Sequence, residues 1–238
     1  MSTDTDTDTD TETESVSFYG HWICPFATRV AFALAQRGIE HDVVNVPPLA
    51  VRGPDFALPC EFVTNSPRLE IPMLRIGPDY LADSMPILEW MEQRIAGSSL
   101  MPSDDNGRAE VRQRMAQIDQ LVFRPMIGIY YGHHPERIAQ SCAALSAALA
   151  EIGQWLHQSD WLVGSEPTLA EAVLMPLYVR LDGLRALGFT DPLPLAIEQH
   201  RQRCTELNGW AAVQWTPDET TEFVGRFTAY RRKQNAST

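Results

Sequence analysis

One segment organises this chain: Ser15-Val-Ser-Phe-Tyr-Gly-His-Trp-Ile-Cys-Pro-Phe-Ala-Thr-Arg-Val30. Its β-branched and aromatic run, Val16–Tyr19, predicts a strand. Pro25 suits the first position of a helix, because its missing N–H would be unpaired there in any case. Cys24 would then occupy the helix N-cap, where unpaired N–H groups and the helix dipole favour an anion. Because the thiolate is the nucleophilic form of cysteine, this position predicts a reactive thiol with a lowered pKa.

The composition sets the class of protein. With 238 residues, 44% of them hydrophobic, the chain can form one large or two small domains. Its longest apolar runs fall well short of a membrane span, so we expect no membrane association. Residues 1–14 alternate threonine with acidic residues, which predicts a disordered acidic tail and not a secretory signal. Four scattered cysteines without a CxxC pair predict a cytoplasmic protein with neither a disulfide framework nor a metal site.

The charge of the chain restricts its partners. The formal net charge is −12, and six of the acidic residues lie in the tail, so the remainder carries −6. A body of this sign has no electrostatic reason to bind nucleic acid. Lys233 is the single lysine, so a cation that binds a substrate carboxylate must be an arginine or a histidine.

The segment 15–97 predicts a compact α/β unit in the order βαβ followed by ββα. After the first strand, an apolar stripe predicts a helix over Pro25–Gln36, and Glu40–Val46 reads as a second strand. A long Pro- and Gly-rich connection follows. Ile71–Ile76 and Tyr80–Leu81 predict a hairpin, and a last helix covers Met85–Ile95. The first two strands should be parallel, with a right-handed crossover between them.

The second half of the chain predicts a different architecture. Residues 98–106 have the Gly, Ser, Pro and Asp content of a linker. Periodic helical stretches then cover roughly 107–131, 136–158, 169–184, 193–207 and 217–232. We therefore expect an all-helical domain over 107–238.

Four motifs carry a resemblance to a known family. They are Cys24-Pro25-Phe26, Ser66-Pro67 with Ile71-Pro72-Met73-Leu74, Asp83-Ser84-Met85-Pro86-Ile87, and Gly164-Ser-Glu-Pro-Thr-Leu-Ala-Glu171. In this order, and with a helical second half, they resemble the glutathione transferase superfamily over essentially all of 15–238. The resemblance implies a thioredoxin-like N-terminal domain that binds glutathione and an all-helical C-terminal domain.

The resemblance also implies roles for individual residues. Ile71, before a cis Pro72, would pair with the cysteinyl part of glutathione, and Phe26 belongs to the same site. Ser84 would receive the γ-glutamyl carboxylate, with Asp83 assisting at that end. The pattern Thr168-Leu-Ala-Glu171 itself predicts a capping box, which is a structural and not a catalytic motif.

The turn at Ser66–Glu70 departs from the family pattern. It lacks the usual glycine, and Val63-Thr64-Asn65 stands where cysteine-type members tend to carry a lysine. The glycyl carboxylate of glutathione therefore lacks its usual cation. Arg68 or Arg52 could supply one.

The cysteine before Pro25-Phe26 looks like that of the cysteine-type, omega-like classes. This implies that Cys24 is catalytic in thiol transfer or reductive deglutathionylation of a small electrophilic or disulfide substrate. Tyr19 and Ser17 are the less favoured activating hydroxyls. Candidates for the second-substrate pocket, chosen by position, are Trp22, Arg124, Tyr130, Tyr131 and His134.

Two other functions remain open at this point. One is a glutathione-dependent isomerase, etherase or dehalogenase that acts on an intermediate of aromatic catabolism. The other is a non-catalytic binding protein with the same fold. Family precedent also implies a two-fold homodimer.

Overall fold

A computed structural model describes residues 14–157 and 159–236. The predicted acidic tail lies outside the described residues, except for Glu14. The N-terminal domain contains the following elements: β1 (Val16–Gly20), α1 (Pro25–Gln36), β2 (Asp42–Asn45), α2 (Cys60–Asn65), β3 (Met73–Ile76), β4 (Asp79–Ala82) and α3 (Ser84–Arg94). The predicted βαβ–ββα order of the thioredoxin-like domain is confirmed.

The four strands form one sheet in the order β2-β1-β3-β4. β1 runs parallel to β2 and antiparallel to β3, so Phe18 faces Val43 on one side and Leu74 on the other. All five residues of β1 are buried, as expected for a central strand. This position brings the loop after β1, and with it Cys24, to the middle of the domain.

The sequence analysis did not predict one helix of this domain. The connection from Pro47 to Asn65, predicted as irregular, contains the six-residue helix α2. Phe62 is its single buried residue, so the segment carries no repeating apolar stripe. β2 is also shorter than predicted, at four residues.

The second domain is helical, as predicted. Its elements are α4 (Asp105–Ile118), a π-helical turn (Asp119–Phe123), α5 (Arg124–Tyr131), α6 (Pro135–Trp155), α7 (Leu169–Ala186), α8 (Leu195–Thr205), a 3₁₀ helix (Asn208–Ala212) and α9 (Pro217–Ala236). Across the described part of residues 98–236 no strand is formed. None of the described helices is long and apolar enough to cross a membrane.

The capping box at the start of α7 is present. The Thr168 hydroxyl accepts a hydrogen bond from the N–H of Ala170, and the Glu171 carboxylate accepts one from the N–H of Thr168 at 2.7 Å. Fifteen of the 18 residues of α7 are buried, so it is the central helix of this domain.

The two domains share a core in which α1 packs on α7 and on the 3₁₀ helix. Gly209 approaches α1 so closely that a Cβ there would lie 2.7 Å from the backbone oxygen of Phe32. Its N–H donates to the side chain of Gln36 at 2.9 Å. Helix α1, which begins directly after Cys24, is therefore fixed by both domains.

Candidate active site

Cys24 occupies the N-cap of α1, with Pro25 in the first helical turn as predicted. Its thiol donates a weak hydrogen bond to the carbonyl oxygen of Ile71 at 3.8 Å. The Ile71–Pro72 peptide bond is cis, as the resemblance implied. Cys24 is 7% exposed, so its sulfur is enclosed between the start of α1 and the strand-entry segment of β3.

The predicted lowering of the Cys24 pKa is wrong, and the reason is burial. Loss of solvent raises the pKa of this thiol above its ordinary value, because the charged thiolate is the disfavoured form in a dry site. The N–H of Ala27, Arg180, the N–H of Phe26 and Arg29 act in the opposite direction. The N-cap effect exists, but burial outweighs it.

A cleft of about 610 Å³ opens beside Cys24 and contains the motif residues. It is lined by Phe26, Arg29, Ser66, Pro67, Arg68, Glu70, Ile71, Pro72, Ala82, Asp83, Ser84, Met85, Pro86 and Asp119. All five residues that the sequence analysis assigned to glutathione binding (Phe26, Ile71, Pro72, Asp83, Ser84) line this cleft. Three separate segments of the chain supply them, and the sheet brings these segments together.

The turn before β3 forms one wall of this cleft. Leu69 has a φ of 54°, a left-handed conformation that normally favours glycine. Ser66 donates to the Glu70 carbonyl at 3.1 Å, and Arg52 donates to the Leu69 carbonyl at 3.1 Å. The turn therefore keeps its conformation without a glycine, held by side-chain hydrogen bonds across it.

The two candidate cations, Arg68 and Arg52, have different positions relative to this cleft. Arg68 lines the cleft, where it pairs with Glu70 at 2.7 Å and lies 3.7 Å from Asp83. Arg52 instead binds the backbone carbonyls of Pro47 and Leu69. Arg68 is thus the arginine positioned to meet a ligand carboxylate.

Asp83 and Ser84 lie at the start of α3. Asp83 is the N-cap residue, but its side chain makes no capping hydrogen bond, and its φ of 82° is left-handed. Ser84 is fully buried. Its hydroxyl accepts a hydrogen bond from Nη1 of Arg29 at 3.4 Å. The Asp83 side chain therefore contacts Arg68 and does not cap the helix.

Arg29 is a site residue that the sequence analysis missed. It is 1% exposed, and its guanidinium pairs with Asp119 at 2.6 Å. It also stacks over the rings of Phe26 and Phe123, at 5.3 and 4.9 Å from their centroids. The sequence signal was an arginine among the apolar positions of α1. Because arginine is rarely buried without a partner, this position indicates a paired, buried side chain.

A second cavity of about 240 Å³ has Cys24 in its wall. It is lined by Ile23, Cys24, Pro25, Phe26, Pro48, Leu49, Val51, Glu70, Ile71, Ile127, Tyr130 and Phe227. Phe26, Glu70 and Ile71 also line the first cleft, so the two cavities adjoin at these three residues. A ligand in the first cleft and an apolar molecule in the second could both approach this thiol.

Of the five predicted second-substrate residues, the cavity at Cys24 contains Tyr130. Trp22 instead lines a pocket with Trp215, and Arg124 and Tyr131 line a cleft between α5 and α6. His134 is the N-cap of α6, and its ring lies tilted against that of His133, with the centroids 4.2 Å apart. Neighbours on a helix point in directions about 100° apart, so Tyr130 and Tyr131 face different surroundings.

The less favoured hydroxyls do not line the cavity at Cys24. Tyr19 donates to Glu61 at 2.5 Å, and the Ser17 hydroxyl accepts from Arg75 at 2.9 Å. Both hydroxyls are therefore hydrogen-bonded to other side chains of the N-terminal domain, one on α2 and one on β3.

Arg180 of α7 also reaches this site. It is fully buried, and Nη2 donates to the carbonyl of Ile23 at 2.8 Å. Nη1 donates to the Thr28 hydroxyl at 3.3 Å and to the Pro176 carbonyl at 3.1 Å. The helical domain thereby contacts the residue that precedes Cys24.

Sequence comparison identifies the first domain. A family model described as the glutathione S-transferase N-terminal domain matches residues 23–94. The chain is 32% identical over 94 residues to maleylacetoacetate isomerase of Rattus norvegicus, covering 40% of this chain and 43% of that protein. It is 26% identical to the enzyme of the same name from Pseudomonas aeruginosa, covering 68% and 79%. It is 23% identical to glutathione S-transferase omega-1 of Mus musculus, covering 71% and 68%.

Solved structures extend the similarity to the whole fold. A rice glutathione transferase in complex with glutathione superposes with a TM-score of 0.78 at 16% identity, covering 93% of this chain and 98% of that one. Glutathione transferase Omega 3C from Trametes versicolor superposes with the same score and identity, covering 94% and 93%. Both domains are present in these superpositions. The chain therefore has the glutathione S-transferase fold, and its residues 23–94 match the family model of the glutathione S-transferase N-terminal domain.

Proposed function

We propose that this chain is a glutathione-dependent enzyme in which Cys24 carries out thiol transfer. The observation that carries the proposal is the position of Cys24, which is the N-cap of α1 and lines a cavity that adjoins the first cleft. One cavity has polar and charged walls, and the other is largely apolar. This arrangement suits a reaction between a polar thiol cosubstrate and a second molecule at one sulfur atom.

The first cleft, of about 610 Å³, suits glutathione in size and in charge. Glutathione has a carboxylate at each end and an ammonium group at the γ-glutamyl end. Ser84, with Arg29 behind it, lies at one end of a helix, which favours a carboxylate. Asp83 can meet the ammonium group, and Arg68 can meet the glycyl carboxylate. The rice structural neighbour is described as a glutathione complex, which supports glutathione as the ligand.

The proposed reaction proceeds in two exchanges at sulfur. The Cys24 thiolate attacks the glutathionyl sulfur of a mixed disulfide, forms a Cys24–glutathione disulfide and releases the substrate thiolate, which takes up a proton. A second glutathione, as its thiolate, then attacks the glutathionyl sulfur. It forms glutathione disulfide and restores the Cys24 thiolate. The substrate disulfide is reduced, and the two glutathionyl groups leave oxidised as glutathione disulfide.

A second candidate is cis–trans isomerisation. It is favoured by the names of the relatives, since the rat and Pseudomonas proteins are both called maleylacetoacetate isomerase. A glutathione thiolate can add to a cis double bond, allow rotation about the resulting single bond, and leave again to give the trans isomer. In this chemistry glutathione is the nucleophile, and the protein needs only to stabilise its thiolate and bind a carboxylate-bearing substrate.

Two variants of Cys24 separate these functions. Thiol transfer from a glutathionylated peptide should be lost in both Cys24→Ala and Cys24→Ser, because neither side chain can form the mixed disulfide. Isomerisation of maleylpyruvate should persist in Cys24→Ser, since its hydroxyl can still donate to a glutathione thiolate. Absence of glutathione binding by calorimetry would contradict both functions and support a non-catalytic binding protein.

We also propose a homodimer, which rests on the family resemblance. A single chain has a mass of 26.7 kDa. Analytical ultracentrifugation at micromolar concentration should therefore give about twice this mass, and a species at the mass of one chain would contradict the proposal.

A further inference from the structure

We infer that Arg180, a residue of the helical domain, is a positioning residue for Cys24: it holds the backbone on both sides of this thiol and supplies a buried positive charge to its thiolate. The inference extends the proposed function, because it assumes that Cys24 reacts as a thiolate. Its test uses the reactivity of the thiol itself, so it does not depend on glutathione turnover.

The contacts of Arg180 surround the Cys24 backbone. Nη2 donates to the carbonyl of Ile23, which shares a peptide bond with Cys24, at 2.8 Å. Nη1 donates to the Thr28 hydroxyl at 3.3 Å, and this hydroxyl in turn donates to the carbonyl of Cys24 at 3.1 Å. One guanidinium thus reaches the peptide before Cys24 directly and the peptide after it through one hydroxyl.

Arg180 is itself rigidly placed. Its side chain is fully buried, and Nη1 also donates to the carbonyl of Pro176, one turn earlier on α7, at 3.1 Å. Its guanidinium carbon lies 4.8 Å from the ring centroid of Trp215. A side chain fixed on several sides can hold the loop before α1 in one geometry.

The charge of Arg180 lacks a counterion in the described part of the chain. The other buried cation near Cys24, Arg29, pairs with Asp119 at 2.6 Å. Arg180 pairs instead with carbonyls and a hydroxyl, which are neutral. A buried charge without an opposite charge is costly, so formation of an anion nearby is favoured. Cys24 is the neighbour that can become one at accessible pH.

Other ionisable groups around Cys24 do not replace this anion. Tyr130 is buried, and burial raises its pKa far above neutrality, so it stays uncharged. Burial also raises the pKa of Tyr131. Glu70 lines both cavities at the surface and pairs with Arg68 at 2.7 Å. Of the two buried cations, Arg29 is already paired with Asp119. Arg180 is therefore the cation that can stabilise the Cys24 thiolate.

The test is the pH dependence of Cys24 alkylation by iodoacetamide, followed by peptide mass spectrometry. Arg180→Gln keeps hydrogen-bonding capacity but removes the charge, so it should raise the Cys24 pKa by about one unit and slow alkylation at pH 8 about tenfold. Arg180→Lys keeps the charge, so its titration should stay close to that of the natural protein. A merely structural role would not separate these two variants.

A control comes from Arg37. It is also a buried arginine that donates to backbone carbonyls, those of Ile95 and Ser98. Unlike Arg180 it has a counterion, Glu92 at 3.5 Å, and it lies at the far end of α1. Arg37→Gln should lower thermal stability and leave the Cys24 titration unchanged. A folded Arg180→Gln variant, shown by circular dichroism, whose titration matches the natural protein would overturn the inference.

A second variant covers the case in which Arg180→Gln does not fold. Thr28→Val removes the hydroxyl between Arg180 and the Cys24 carbonyl and keeps the shape of the side chain. It should slow alkylation of Cys24 several-fold at pH 8. A folded Thr28→Val variant with unchanged alkylation would contradict the positioning role.

Discussion

The sulfur of Cys24 lies 3.8 Å from the carbonyl oxygen of Ile71, the residue before the cis Pro72. This contact joins the start of α1 to the segment that enters β3, although 47 residues separate the two along the chain. Ile71 lines both cavities of the candidate site, and Cys24 lines the second, largely apolar one. The candidate site therefore lies at one edge of the sheet, where β1 ends and β3 begins.

The first prediction concerns the pH dependence of Cys24 in the natural protein. Burial raises the pKa of this thiol, so the thiolate fraction at pH 7 is small and increases with pH. Alkylation should accelerate about tenfold for each pH unit up to at least pH 9. A rate that levels off below pH 8 would contradict this account.

The second prediction concerns Ser84. Its hydroxyl is fully buried at the start of α3 and bonded to Arg29. Because a hydrogen bond to a charged group contributes about 1.5–3 kcal/mol, Ser84→Ala should raise the KM for glutathione by about tenfold or more, with a smaller change in kcat. Steady-state kinetics at varied glutathione measures this. Ser98→Ala, whose hydroxyl bonds the Arg37 carbonyl, is the control and should leave the KM unchanged.

The third prediction concerns the left-handed conformation of Leu69, whose φ is 54°. A glycine adopts this conformation without the penalty of about 1 kcal/mol that a Cβ introduces. Leu69→Gly should therefore be more stable than Leu69→Ala by about 0.5–1 kcal/mol, although alanine is ordinarily the more stabilising residue. Urea unfolding of both variants gives the comparison. An alanine variant at least as stable as the glycine variant would show that the turn is not strained there.

The fourth prediction concerns the capping box of α7. Thr168→Ala removes the acceptor for the N–H of Ala170 and one partner of Glu171. Loss of such a cap costs about 1–2 kcal/mol, so the free energy of unfolding should fall by this amount. The alkylation rate of Cys24 should be unchanged, because the motif is structural. A change at Cys24 without a loss of stability would be inconsistent with that role.

The sequence predicted the fold well because its signals are local. The strand before Cys24, the proline after it and the periodic second half each depend on neighbouring residues, and all appear in the structure. Helix α2 was missed because a six-residue helix with one buried side chain has no periodicity to read.

The site was predictable only in part. Residues within the motifs, such as Ile71 and Ser84, line the cleft as expected. Arg29 and Arg180 were missed because their partners, Asp119 and the Ile23 carbonyl, are 90 and 157 residues away. The direction of the Cys24 pKa was wrong because burial depends on the packing of both domains, which the N-cap position does not report.

Treatment with glutathione disulfide, followed by peptide mass spectrometry, tests the central claim most directly. A glutathione adduct should form selectively on Cys24, and a second glutathione should remove it. Cys204 is buried and lines neither of the two cavities at the candidate site, so it should remain unmodified. Exposed Cys60 and half-buried Cys142 serve as internal controls for non-selective labelling. A label that spreads evenly over the four cysteines, or a Cys24→Ala variant that keeps full thiol-transfer activity, would contradict a cysteine mechanism at Cys24.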